Sequence, residues 1–150
     1  MKKLILIAMM CLTLTACGGT KNEPTVLDFS EARYGTVETG DLQLVTGDLL
    51  SVTQSGGIVV VKAKIRSNLT NKMTIDQNFS NVGDLIQNHG FNTCEELQYW
   101  AVADTNMGEQ KVISFTLEKS SIYGIISGSI VWTQLQDLVK DLWILPSLKE

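Results

Sequence analysis

Few side chains in this 150-residue sequence are equipped for chemistry, and their spacing decides which chemistry is open to them. The single histidine, His89, lies just upstream of Cys94, which Glu95 and Glu96 follow directly. A nucleophilic site needs a thiol or hydroxyl, a base beside it and a third group to orient the base, all meeting in one cleft. No serine here sits in a glycine-flanked elbow, and one histidine leaves any triad with a single, unsupported base. His89 therefore reads as a residue of a helix's last turn, where it favours the helix dipole. Cys94 sits where a helix N-terminus would lower its pKa, but two acidic neighbours oppose a thiolate, so it reads as buried packing.

Metal and carboxylate chemistry fare no better. Zinc needs several Cys or His ligands, and the sequence after residue 17 offers one of each. Asp41 and Asp48 open two copies of Thr-Gly-Asp-Leu-x-x-Val, at 39–45 and 46–52, and their oxygens suit calcium. Two copies at a period of seven differ from the longer arrays that bind calcium, so turns at Gly40 and Gly47 are the expectation. Glu95 with Glu96 and Asp137 with Asp141 are carboxylate pairs, yet a glycosidase needs its acids to flank a cleft. Gly56-Gly57 and the glycines at 124 and 128 lack the lysine of a phosphate-binding loop. The sequence thus assigns no catalytic residue, cofactor or metal, and the protein is expected not to be an enzyme.

Binding chemistry has two candidates. Trp100, Trp132 and Trp143, with Tyr34, Tyr99 and Tyr123, form a stacking platform for sugars if they gather on one exposed face; core packing is the default for such residues. Lys62, Lys64 and Arg66 project together from one strand, either as a solvated face or toward an anionic partner. Nucleic acid is excluded by charge: the chain carries 12 basic and 16 acidic residues, a net charge of −4.

The first residues set where these groups work. Lys2 and Lys3 precede an apolar run at 4–14, and Leu14-Thr15-Ala16-Cys17 follows. A bilayer-spanning helix needs about 20 apolar residues, which this run does not reach. The segment resembles the signal peptide of a bacterial lipoprotein, with Leu14-Thr15-Ala16-Cys17 as its lipobox; a plain secretory signal is the alternative. The resemblance implies cleavage before Cys17, a diacylglycerol thioether on Cys17, and a protein held by two acyl chains at the extracytoplasmic face of the cell membrane. Residues 1–16 are then the leader, 17–24 a lipidated tether and 25–150 one globular domain. Cys11 leaves with the leader and Cys17 is acylated, so Cys94 has no disulfide partner.

The elements that position the candidates follow from periodicity. Val59, Val61, Ala63 and Ile65 alternate with polar residues after Gly56-Gly57, which pairs 49–54 with 59–66 in a hairpin. Ile75, Phe79, Val82, Leu85 and Ile86 recur at helical spacing, with Asp76, Asn78 and Asp84 off the apolar stripe and Gly90 as the stop. Gly83 weakens that helix, so its start is expected near Asn81, with 75–80 as a lead-in. Thr93 and Glu96 match a capping box. Residues 97–104 and 111–118 form a second hairpin across a 105–110 loop, the first of these strands apolar on both faces and hence central. Ser120 or Ser121 caps a short helix through Ile122, Ile125 and Ile126, Thr133 with Gln136 caps another through Leu135, Leu138, Val139 and Leu142, and 143–146 closes as a strand.

These elements predict a single α+β domain of antiparallel hairpins with helices packed mainly on one face. Three stretches, 75–79, 98–104 and 142–146, resemble small Firmicutes lipoproteins of unestablished function. The expected role is a membrane-anchored binding or protein-interaction module for a small ligand or a protein partner. The alternatives are an accessory or exclusion factor of a membrane complex, in transport or mobile-element biology, and a small cell-envelope enzyme built on His89, Cys94 or a carboxylate pair.

Overall fold

The computed structural model describes residues 24–66 and 70–149. The leader, Cys17, the tether up to residue 23 and the Asn68-Leu69 pair lie outside the described residues. Six strands form one sheet in chain order: β1 (Arg33–Thr36), β2 (Asp48–Gly56), β3 (Ile58–Lys64), β4 (Glu96–Thr105), β5 (Gly108–Glu118) and β6 (Lys140–Ile144). Every neighbouring pair is antiparallel except β3 with β4, which run parallel. A parallel pair needs a crossover, and helix α1 (Asn71–Asn88) supplies it. Two shorter helices follow, α2 (Lys119–Ile126) and α3 (Leu135–Leu138). This is the expected α+β domain, with one parallel junction where the two hairpins meet.

Both hairpins form. Ser55 pairs with Ile58 across Gly56-Gly57, and Gly56 takes φ +62°, which a residue without Cβ adopts freely. In the second, Thr105 pairs with Gly108, so the strands run on and the loop shrinks from the expected six residues to Asn106-Met107. The Thr105 hydroxyl closes it by donating to the Gly108 carbonyl at 2.8 Å.

One face of the sheet is the core. Val52, Val59, Val61, Ala63, Leu97, Tyr99, Ala101, Ile113, Phe115 and Leu117 are buried there, and Ile75, Phe79, Val82, Leu85 and Ile86 of α1 pack onto them. Phe115 stacks between Phe79 and Tyr99, at centroid distances of 4.7 and 5.3 Å. Ile122, Ile125 and Leu135 bring α2 and α3 into the same cluster.

Several local expectations are corrected. Helix α1 begins ten residues before Asn81, because Thr70 caps it by accepting from the Met73 N–H at 3.1 Å. The helix runs through Gly83 without a break: a Cβ there would lie 3.2 Å from the Trp132 Cβ, so the glycine admits a tryptophan against the helix. Asn78 is not on the wet side but buried. Thr93 ends a 3-10 turn, Phe91–Thr93, instead of opening a helix, and its hydroxyl accepts from the Phe29 N–H at 2.8 Å and donates to the Gly90 carbonyl at 2.8 Å. Glu96 opens β4. Ser120 and Ser121 lie inside α2, whose N-cap is Glu118. The last helix stops at Leu138 because Val139 turns extended, and Leu142 belongs to β6. Gln134, not Thr133, serves the Trp132–Gln134 turn, its side-chain oxygen accepting from the Val131 N–H at 3.1 Å. Strand β6 ends at Ile144, and Pro146 opens a 3-10 turn, Pro146–Leu148. The first Thr-Gly-Asp copy forms a turn without a strand, and the second leads into β2.

Candidate binding face

The open face of the sheet is built by the alternate residues of the same strands that fill the core. Lys62, Trp100, Ser114 and Trp143 are direct register partners from β3 to β6, so they form one row across four strands. Ser114 is small and buried, which leaves the two indoles as walls of a shallow floor. Two strand spacings, about 10 Å, separate the strands that carry them. Trp100 is 45% and Trp143 39% exposed, unusual for rings that default to the core. Lys111 places its Nζ 5.9 Å from the Trp100 ring centroid and 5.1 Å from that of Trp143. Each contact is a cation–π attraction of about 0.5–1 kcal/mol at an exposed site.

The other lysines of this face are neutralised. Lys62 pairs with Glu109 at 2.6 Å, Lys64 with Asp104 at 2.6 Å, and Lys140 with Glu118. The Asp104 carboxylate holds the Lys64 ammonium above its ordinary pKa. Arg66 reaches Asp48 at 2.8 Å. Lys62 and Lys64 of β3, with Arg66 just beyond it, are therefore held in a set of surface ion pairs, each modest in energy. Lys111 alone on this face has no ion pair among the described residues.

The remaining aromatic residues do not join this row. Trp132 packs on Gly83 of α1, Tyr123 lies under Lys119 on α2, Tyr34 stands on the edge strand β1, and Tyr99 is buried. Two of six aromatics thus gather, and strand register selects them. Trp100 and Trp143 stand on different strands far apart in sequence, and strand pairing through Ser114 brings them together under Lys111.

The groups considered for catalysis stand apart. His89 caps α1, its Nδ1 2.8 Å from the Thr25 carbonyl and its Nε2 3.2 Å from Asp84. Cys94 is fully buried and donates to the Phe91 carbonyl at 3.0 Å. Burial pushes its thiol up to about 12, against a smaller lowering by Lys119. Glu95 pairs with Lys119 at 3.1 Å, while Glu96 accepts from Gln98 at 2.8 Å. Asp141 takes φ +53° at the start of β6, and Asp137 lies in α3. Lys119 alone links two of them, donating to the Cys94 carbonyl at 2.8 Å while it pairs with Glu95, and the Cys94 thiol itself bonds only the Phe91 carbonyl. Asp48 is engaged by Arg66, and among the described residues no three His, Cys, Asp or Glu side chains cluster to hold a metal.

A cavity of about 520 Å³ opens at the C-terminal ends of β3 and β4, lined by Lys64, Arg66, Asn71, Ala103, Val112 and Leu148 among others. It lies at the N-terminus of α1, the usual crevice of a βαβ unit. No described helix is long and apolar enough to cross a membrane. Comparison with known protein families, curated proteins and solved structures finds no match.

Proposed function

We propose that the protein is a lipid-anchored, extracytoplasmic binding module that engages its ligand or partner through the helix-free face of its sheet. The anchor rests on Leu14-Thr15-Ala16-Cys17 after a short apolar run, with Cys17 as the acylated residue. The face rests on one observation: two half-exposed indoles flank Lys111, the one lysine of that face without an ion pair among the described residues. Exposed tryptophans set in a polar surface mark binding sites, because each removes much apolar area from water on contact. An accessory or exclusion role would call for a broad apolar patch, whereas here ion pairs ring the two indoles.

Membrane fractionation with mass spectrometry of the wild type and Cys17→Ala tests the anchor. The wild type is expected to lose 1–16, gain diacylglycerol mass and stay with the membrane, while the variant is released. Equal release of both refutes the anchor. Capture from isolated cell envelopes by wild type, Trp100→Ala and Trp143→Ala tests the face, and capture undiminished in both variants refutes it.

A further inference from the structure

The spacing and charge of the Trp100, Lys111 and Trp143 group point to a ligand class, and we propose that it binds a linear acidic glycan, a polysaccharide in which sugars bearing carboxylates alternate with sugars that stack on the indoles. This rests on the open sheet face being the binding face. The two tryptophans stand two strand spacings apart, about 10 Å, the length of a disaccharide repeat in a β-linked chain. Ser114 between them is small and buried, so the Lys111 ammonium is the group set between the two rings. A polymer laid across the strands then places alternate rings on the two indoles, whose apolar faces match the C–H faces of pyranose rings.

Lys111 decides the charge of that polymer. Its ammonium is steered by the two rings and, unlike Lys62, Lys64 and Lys140, meets no carboxylate among the described residues. An anionic group arriving between the stacked sugars gains a charge-assisted bond without first breaking an ion pair. One uncompensated cation suits one carboxylate per disaccharide. It does not suit nucleic acid, which brings a phosphate at each nucleotide and needs several cations along its track, in a chain whose net charge is −4. Gln98 and the ion pairs Lys62–Glu109 and Lys140–Glu118 surround the row with donors and acceptors for sugar hydroxyls.

The test is calorimetric titration of the full-length protein in detergent micelles with hyaluronan and unsulfated chondroitin octasaccharides, both β-linked with a carboxylate on every second sugar, the same oligomers after carboxyl reduction, and polyglutamate. At least one acidic oligosaccharide is expected to bind, with affinity falling roughly tenfold or more on carboxyl reduction, on Lys111→Met, and on Trp100→Ala or Trp143→Ala, while Lys111→Arg retains it. A Cys94 thiol that stays unreactive in each variant verifies that the fold is kept. Equal affinity for the carboxyl-reduced oligomers overturns the acidic requirement, equal affinity for polyglutamate overturns the sugar requirement in favour of an acidic peptide, and no binding of either oligosaccharide overturns the proposal. Envelope capture that still depends on Trp100 and Trp143 would in that case leave the binding face standing with a different ligand.

Discussion

The phenol of Tyr99, at the centre of β4, donates to Oδ1 of Asn78 on α1 at 3.0 Å, and this bond ties the crossover helix to the strand it precedes. Both residues are buried, and neither stands alone. The Asn81 amide donates to the Tyr99 oxygen at 3.1 Å and to the Thr46 carbonyl at 2.8 Å, and the Asn78 amide donates to the Thr74 carbonyl at 2.7 Å. No buried side-chain nitrogen or oxygen among the described residues lacks a partner. Tyr99→Phe deprives two buried amide groups of their shared partner, so a loss of about 1–3 kcal/mol is expected from urea unfolding. A double-mutant cycle with Asn78→Leu should show coupling between the two sites, and additive losses would contradict the linkage.

Cys94 makes stability fall at alkaline pH. In the unfolded chain its thiol ionises near its ordinary value of 9.0, whereas in the folded chain burial holds the proton up to about 12. Its contribution is fully present below pH 9 and is lost as the pH rises toward 12. Tyr99, also raised by burial, acts with the same sign at higher pH. Urea midpoints of the wild type should therefore drop between pH 8 and pH 10, and those of Cys94→Ala should drop less from a lower starting point. A thiol reagent at pH 8 should modify the wild type no faster than it unfolds.

Gly90 and Gly108 provide a matched pair of substitutions. Both hold positive φ, +83° and +95°. A Cβ on Gly90 would lie 1.7 Å from the Leu27 carbonyl oxygen, beside the bond from the Leu27 N–H to the His89 carbonyl at 2.9 Å, whereas a Cβ on Gly108 meets nothing within 4 Å. Gly108→Ala is expected to cost about 1 kcal/mol, for backbone conformation alone. Gly90→Ala should cost about 2–4 kcal/mol, because the segment that carries Phe29 into the core must move as well. Thermal unfolding of the two variants measures the difference, and equal costs would contradict the close approach.

Lys111→Met should leave stability within about 1 kcal/mol of wild type, since the residue is exposed and its contacts are cation–π attractions. The emission of Trp100 and Trp143 should change nonetheless, because a positive charge leaves the neighbourhood of both rings. Unfolding and fluorescence of one sample read the two effects separately.

Where burial alternates with a clear period, these elements are legible from residue types. Val59, Val61 and Ala63 alternate inward as expected, and Ile75 to Ile86 mark the buried side of α1. Signals that depend on a partner distant in sequence are not legible. Gly83 looks like a helix breaker until Trp132 is placed against it, and Asn78 looks wet until Tyr99 supplies its bond. Thr93 and Glu96 have the spacing of a cap, but the Thr93 hydroxyl is taken by Phe29, sixty-four residues away. Strand β1 carries no alternation, because all four of its residues are exposed. The row of Trp100 and Trp143 is half legible: the aromatic residues are visible in the sequence, while their selection by register and the placement of Lys111 between them need the strand pairing.

Because strand order and chain order coincide, the sheet grows by addition at an edge and never by insertion. A chain delivered N-terminus first can pair β2 with β1 and β3 with β2 as each emerges, and only β4 must wait, until α1 has carried the chain back across the sheet. That crossover closes the longest loop between paired strands, so it is the step in which conformational entropy weighs most on the folding rate. The Tyr99–Asn78 bond lies across that closure, and it adds to the seven-residue β3–β4 register and the shared core in holding the first half of the sheet to the second.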